Sequence, residues 1–308
     1  MIPVKFDYIA PESLEAAVKL LEENEGSQVL AGGHSLLMEM KLGQVFPSLL
    51  VDLGKIKGLQ GVRFSHEMDG IVQIGAMTSY SEVATALKDK ENYEAIVEAA
   101  ISIGDPQIRN WVKIGDTFAY RDLACDLLAV ALALEATFNI IDPSGIRAVS
   151  ADEFISGYSD NTLKSSEIIV SIDFPHHGIG TGSAYEAFKH PATKYSICGL
   201  AVLVRLSSNG IVDKCRVVVT GARENTSRLL QVETALEGKA PTQENIEAAS
   251  KFASKSLNKT KEGRKELSNI SNFYTSTEYR NYISSVLTAR ALTRATERID
   301  LALKDDPS

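Results

Sequence analysis

The sequence predicts an α+β protein: a mixed α/β part over residues 1–178, then a three-stranded antiparallel sheet with helices over residues 179–308. Three observations point there. Short apolar strand signals alternate with helical patterns as far as Phe174. The run Pro175-His176-His177-Gly178-Ile179-Gly180-Thr181-Gly182 then breaks regular structure and marks a domain boundary. Beyond it come three strand signals, and after them only helical patterns.

Taken in order, residues 11–23 read as a helix because Leu14, Ala17, Val18 and Leu21 share one face. Residues 28–30 are a short strand that delivers the chain to a glycine pair. Residues 49–53 form a second strand, ended by Gly54, and residues 71–75 a third. Thr78 or Ser79 can cap a helix that runs to about Leu87. A further helix covers roughly 93–102 and is stopped by Gly104-Asp105-Pro106. Residues 123–134 are apolar almost all round, which predicts a buried helix. Strands follow at 137–141 and 167–174, and past the boundary at 184–188, 200–206 and 214–220. Ser208-Asn209-Gly210 supplies a hairpin turn between the last two. The remainder is helical, over 227–236, 242–257 and 275–304, with Thr275 and Glu278 as a capping box for the last helix.

Composition narrows the function. The chain has 308 residues, 44% hydrophobic and 23% charged, ordinary values for a globular protein of two domains or one large composite one. A net charge of -8 argues against a general nucleic-acid binder, since phosphate contacts need clustered Lys and Arg. No apolar run approaches a membrane span, and MIPVKFDYIAPES lacks the blocks of a signal peptide, so a cytoplasmic protein is expected. Cys125, Cys198 and Cys215 are too few for a disulfide scaffold and too sparse for an iron–sulfur or zinc cluster. Any redox chemistry would therefore fall to an organic cofactor.

The chemistry-bearing stretch is QVLAGGHSLLMEMK, from Gln28 to Lys41. A pyrophosphate is bound by backbone N–H groups, which come close enough only where side chains are absent. Gly32 and Gly33 satisfy that need, Ser35 adds a hydroxyl donor, and His34 either contacts the bound group or packs. The same pattern also fits a tight strand-to-helix turn with no ligand. It is not a Rossmann fingerprint, because G-G-H-S lacks the G-x-G-x-x-G spacing. A second glycine loop lies in KIGDTFAY from Lys113.

The wider pattern is more specific. The chain carries L-A-G-G-H-S-L-L, V-D-L-G-K-I-K-G-L, I-G-A-M-T-S and D-P-Q-I-R-N followed by I-G, then Y-E-A-F-K-H-P-A-T-K-Y and S-T-E-Y-R. In order and approximate spacing this resembles the flavin-binding (medium) subunit of the molybdenum hydroxylases, as in aerobic carbon monoxide dehydrogenases and the flavin domain of xanthine dehydrogenases. The resemblance spans nearly the whole chain. It implies an FAD-binding domain of the vanillyl-alcohol-oxidase (PCMH) type, with α/β subdomains at about 1–56 and 57–178, followed by a small antiparallel sheet with a helix bundle.

The resemblance also implies a site. The family's first loop maps onto Ala31, Gly32, Gly33, His34 and Ser35, with Leu36 beside it. Its second, usually T-I-G-G-N or T-I-G-G-S, maps onto Lys113, Ile114, Gly115, Asp116 and Thr117. An aspartate near the adenosine end maps onto Asp126, and an aromatic residue beside the isoalloxazine ring onto Tyr195. FAD is implied to be non-covalent, because no histidine or cysteine falls where the matched motifs would place the ring. Neither a catalytic residue nor a metal site is implied. The partners implied are a large molybdopterin subunit and a small subunit with [2Fe–2S] clusters, in a doubled heterotrimer that passes electrons through FAD to an external acceptor.

Three positions depart from the family. Asp116 stands where a second glycine is usual, so a carboxylate and a Cβ enter a phosphate-binding loop, and Lys113 replaces a threonine as a cation that could offset the charge. Ala187 takes the place of a lysine that reaches toward the flavin, with His190 near the usual arginine and Lys189 as a partial substitute. These changes motivate a second reading from another class, a scaffold or assembly subunit that has lost tight FAD binding. Other residues invite structural readings: Asp105, Gln107, Arg109 and Asn110 as loop-capping groups, Trp111 as a packing or interface residue, Cys125 as an inert core thiol, and His176-His177 as a pair without further metal ligands.

Overall fold

A computed structural model of the chain describes residues 3–65, 70–120, 125–156, 163–222, 225–257 and 275–305. The chain divides into two compact units, each assembled from separate stretches. The first is Met1–Ala86, Asp105–Arg121 and Ala136–Pro175; the second is Leu87–Gly104, Asp122–Glu135 and His176–Ser308.

The chain opens with β1 (Asp7–Ile9) and α1 (Leu14–Glu23), capped by Ser13, whose hydroxyl accepts from the Ala16 N–H. Next come β2 (Gln28–Leu30), α2 (His34–Leu42), β3 (Leu49–Asp52), β4 (Val62–Phe64), β5 (Val72–Gly75) and α3 (Tyr80–Leu87). Ser79 and Glu82 cap α3 reciprocally, each backbone N–H donating to the other's side chain at 2.7 and 3.3 Å. After α4 (Glu94–Ser102), Asp105 caps α5 (Pro106–Trp111) by accepting from the Ile108 N–H, so this member of the polar group does cap a helix. Then follow α6 (Ile114–Tyr120) and α7 (Asp126–Ala133), every residue of which is buried. Residues 123 and 124 of the expected helix lie outside the described residues. The rest is β6 (Thr137–Asp142), β7 (Gly145–Ser150), α8 (Ala151–Ser156), β8 (Ile168–Phe174), β9 (Thr181–Lys189), β10 (Ser196–Leu206), β11 (Val212–Thr220), β12 (Ser227–Arg228), α9 (Leu230–Leu236), α10 (Gln243–Leu257) and α11 (Thr277–Asp305).

In the first unit β1, β3 and β2 form a parallel sheet in that order. Strand alternation sends β3 side chains to opposite faces. Leu49 and Val51 join Ala17, Val18 and Leu21 of α1, while Leu50 packs with Leu36 and Met40 of α2. Both faces are thus covered, and α2 is held by its own apolar residues. The second sheet of this unit runs β4-β5-β8-β6-β7 and is antiparallel. Phe118, Phe138 and Phe154 stack through it, with ring centroids 4.9 and 4.2 Å apart.

The second unit is built on an antiparallel sheet ordered β12-β11-β10-β9. Its core joins Leu200, Val202 and Val204 of β10 and Val217 and Val219 of β11 to helix residues such as Leu236, Ile246 and Leu292. Two expectations need correction. The sheet has a fourth, two-residue strand: Ser227 and Arg228 pair with β11 rather than opening a helix, and the helix begins at Leu230. At α11 the hydroxyl of Ser276, not Thr275, accepts from the Tyr279 N–H, one residue further along than the expected box.

Gly182 lets β9 and α11 touch backbone to backbone, since a Cβ there would lie 2.0 Å from the Ala295 carbonyl oxygen. Gly182→Ala should therefore destabilise the protein by about 1–3 kcal/mol through overpacking, read as a lower urea midpoint. An unchanged midpoint would contradict this packing.

Candidate functional site

The glycine pair lies between β2 and α2. Gly33 is the N-cap of α2 in the left-handed region, φ 77°, and a Cβ there would also lie 2.9 Å from the Leu37 side chain. Gly32 has another reason to be bare. Its Cβ would sit 2.6 Å from the Trp111 carbonyl oxygen, so the C-terminal end of α5 lies directly against the first loop. The Trp111 side chain itself is 65% exposed.

No side chain caps α2, and the first helical N–H to find an acceptor is that of Leu37, on the Gly33 carbonyl at 3.2 Å. The N–H groups of His34, Ser35 and Leu36 therefore have no intrahelical acceptor, and the positive end of the helix dipole adds to their field. This is an anion-binding arrangement, with the Ser35 hydroxyl alongside.

The second loop is stitched to the turn that follows β5. The Ile114 N–H donates to the Thr78 carbonyl at 2.9 Å and the Gly115 N–H to the Ala76 carbonyl at 2.8 Å, while Lys113 bridges to Ser79. Gly115 must be bare because a Cβ would lie 2.7 Å from that of Ala76. Thr117 shares a 2.6 Å hydrogen bond with the Tyr80 hydroxyl. Two of this loop's donors are thus consumed inside the protein.

Asp116 follows directly. Its Oδ2 is buried and has no hydrogen-bond partner. Burial pushes its carboxyl up to about 6, opposed by the nearby His34 imidazole. Burial raises the Glu82 carboxyl, but hydrogen bonds from Ser79 and Gln60, with a smaller contribution from the charge of Lys113, hold it below its ordinary range. The influence that opposes the shift of Asp116 thus comes from the His34 side chain rather than from Lys113. Ala31, Ala76, Met77, Gly115, Asp116 and Glu167 are among the walls of a cavity of 80 Å³.

All the predicted site residues from Ala31 to Leu36 and from Lys113 to Thr117 fall in the first unit, and the two loops meet. Asp126 and Tyr195 belong to the second unit. Asp126 is buried at the start of α7, where its carboxylate pairs with Lys189 and accepts from the Ser102 hydroxyl at 3.3 Å. Lys189, the expected substitute for a flavin-side lysine, is thereby engaged, and a register shift between Ser196 and Cys198 lies opposite it. Tyr195 is exposed just before β10, its carbonyl accepting from the His190 N–H at 2.8 Å. His177 is tied to the Leu134 carbonyl at 3.1 Å, and Cys125, Cys198 and Cys215 are free and buried. Among the described residues no group of three or more His, Cys, Asp or Glu could hold a metal ion, and no helix is long and apolar enough to cross a membrane. Sequence reasoning missed Ala76, Met77 and Glu167 as walls. Ala76 and Met77 lie in the I-G-A-M-T-S motif, which was legible only as a mark of resemblance.

Residues 4–177 match the FAD binding domain in molybdopterin dehydrogenase, and residues 183–295 the CO dehydrogenase flavoprotein C-terminal domain. The chain belongs to the FAD-binding subunits of the molybdopterin dehydrogenases. It is 37% identical to the carbon monoxide dehydrogenase medium chain of Hydrogenophaga pseudoflava over 82% of this chain and 87% of that one. It is 29% identical to the 6-hydroxypseudooxynicotine dehydrogenase complex subunit alpha of Paenarthrobacter nicotinovorans over 97% of each. Among solved structures, a chain of the Hydrogenophaga pseudoflava carbon monoxide dehydrogenase superposes with a TM-score of 0.86 at 34% identity, covering 97% of this chain and 99% of that one. The fold is therefore that of the molybdenum hydroxylase medium subunits.

This flavoprotein subunit has residues that fit the cofactor. The uncapped start of α2 presents donors at a bare, left-handed glycine, as a diphosphate requires, and the buried Asp116 Oδ2 lacks a donor that a ligand could bring.

Because folding raises the Asp116 carboxyl above the ordinary aspartate range, the folded state binds that proton more tightly than the unfolded chain. Stability should therefore be higher near pH 4 and fall as pH rises through about 6. Asp116→Asn should make the FAD-free protein more stable at pH 7 by roughly 1–2 kcal/mol after allowance for solvent screening, the gap closing toward pH 4 in urea titrations. No difference at pH 7 would contradict the burial of this carboxylate.

Proposed function

We propose that this subunit binds FAD non-covalently, with the first turn of α2 on the diphosphate, and serves as the electron-transfer subunit of a molybdenum hydroxylase. The observation that carries this reading is the uncapped turn at Gly33, whose N–H groups have no helical acceptor and whose backbone is bare. Gly32, Gly33 and the N–H groups of His34, Ser35 and Leu36 hold the diphosphate, and Ala31 forms the adjoining wall. Lys113, Ile114, Gly115, Asp116 and Thr117 close the site from the second loop. Asp126 is assigned to the adenosine end and Tyr195 to the ring. The division at 178/179 then separates the diphosphate-binding module from the one that bears Tyr195.

FAD, when bound, supplies the redox chemistry that these side chains lack. The chain's own part is to bind, orient and shield. Its partners in this reading are a small subunit with [2Fe–2S] clusters, a large molybdopterin subunit that carries the substrate site, and an external acceptor, in a doubled heterotrimer in the cytoplasm. The relatives act on substrates as different as carbon monoxide and 6-hydroxypseudooxynicotine, which agrees with substrate choice lying outside this chain. A scaffold role without tight FAD binding is the second reading, and the unpaired Asp116 carboxylate beside the loops is what favours it.

Purification from the native source under mild conditions should yield three chains together, with a yellow cofactor that acid precipitation releases as free FAD. A colourless complex of the three chains would favour the scaffold. A colourless monomer would contradict both readings.

A further inference from the structure

We propose that Asp116 positions the nucleotide, its buried Oδ2 accepting a hydrogen bond from a sugar hydroxyl that flanks the FAD diphosphate. This rests on the flavin reading above and deepens it. The sequence alone suggests the opposite, a carboxylate that merely repels phosphate. The structure changes the argument in three ways. The Ile114 and Gly115 N–H groups donate to Thr78 and Ala76, so neither is available to a phosphate, and the second loop need not serve as a phosphate cradle. The acceptor Oδ2 is buried without a donor, and a buried acceptor gains most from a ligand that brings one. Ala31, which opens the first loop, and Asp116 line the same cavity, which brings this carboxylate beside the loop assigned to the diphosphate. On both sides of the diphosphate FAD carries hydroxyl donors, the ribityl chain on one and the ribose on the other, whereas its phosphates offer only acceptors.

The charges around Asp116 are compatible with an ionised acceptor. His34 on α2 is the neighbour whose electrostatic influence favours the ionised carboxylate. Glu167, just before β8, lines the same cavity but is neutralised by Arg147 at 3.1 Å and accepts from the Lys164 N–H at 2.9 Å. Lys113, in the same loop, acts on Glu82. Since burial holds the Asp116 carboxyl near 6, the group is largely protonated below that pH and accepts only as a weaker, neutral carbonyl. Binding that requires the carboxylate lowers its pKa, so FAD affinity should rise as pH goes from 5 to 7 and then level off.

The test is calorimetric titration of FAD into the cofactor-free chain, wild type against Asp116→Ala and the near-isosteric Asp116→Asn, with circular dichroism to verify folding. Loss of a charge-assisted acceptor, partly offset by relief of phosphate repulsion, should weaken FAD about tenfold in Asp116→Ala. Asp116→Asn should abolish the rise with pH, and a His34→Gln background should retain it. Titration with FMN and with ADP separates the two sources, because the variant's penalty should follow the fragment that carries the hydroxyl. Tighter or unchanged FAD binding in folded variants, or wild-type affinity that falls with rising pH, would overturn the proposal while leaving the flavin reading intact. Wild-type protein that takes up no FAD at any pH would overturn the flavin reading and this inference with it.

Discussion

The first turn of α2 begins at a glycine in the left-handed conformation, which residues with a Cβ rarely adopt, and it leaves backbone donors without helical acceptors. Such a turn is costly unless something else supplies the acceptors. It is also held from below, because Leu36 and Met40 pack on Leu50, the β3 residue that faces away from α1. That contact holds the helix, and with it the open N–H groups of its first turn, in a fixed position. A rigid helix with an unsatisfied, positive terminus is a preorganised anion site, and this one lies within the stretch that matches the family's FAD-binding domain.

The second loop makes a different contribution. Its glycine is needed for contact with Ala76, and its first two donors are spent in that contact. What it turns toward the cavity is a carboxylate whose pKa burial raises to about 6, so that it is mostly ionised at neutral pH. One loop thus offers backbone donors and the other a side-chain acceptor, which together match a ligand with both anionic and hydroxyl groups. The Asp126–Lys189 pair in the second unit differs in that one oxygen of a buried carboxylate, Oδ2, is paired with a cation within the protein, although Oδ1 is buried without a hydrogen-bond partner among the described residues.

Much of this was legible in the sequence because the elements concerned have strong local signals. The face of α1 follows from its apolar spacing, the start of α3 from a cap at Thr78 or Ser79, of which the structure uses Ser79, and the buried α7 from an unbroken apolar run. Elements without such signals were missed. The α2 stretch, with Leu36, Leu37, Met38, Met40 and Leu42, has no clean polar face, and only its packing on Leu50 makes it a helix. The α6 stretch contains glycine and threonine, both weak helix formers, and its start is set by bonds to Ala76 and Thr78. β1 and β4 have three residues each, too few for alternation to register. At the site, the glycine loops could be read from spacing, but the state of Asp116 could not. It depends on which N–H groups are already spent and on Lys113 acting on Glu82, both long-range facts.

The central claim is that the bare first turn of α2 takes the diphosphate. Hydrogen exchange of the chain with and without FAD, followed at the amides of residues 33–36, tests it most directly. The account predicts that these amides exchange rapidly without FAD and become strongly protected with it. FAD that binds with no change in their exchange would contradict the account.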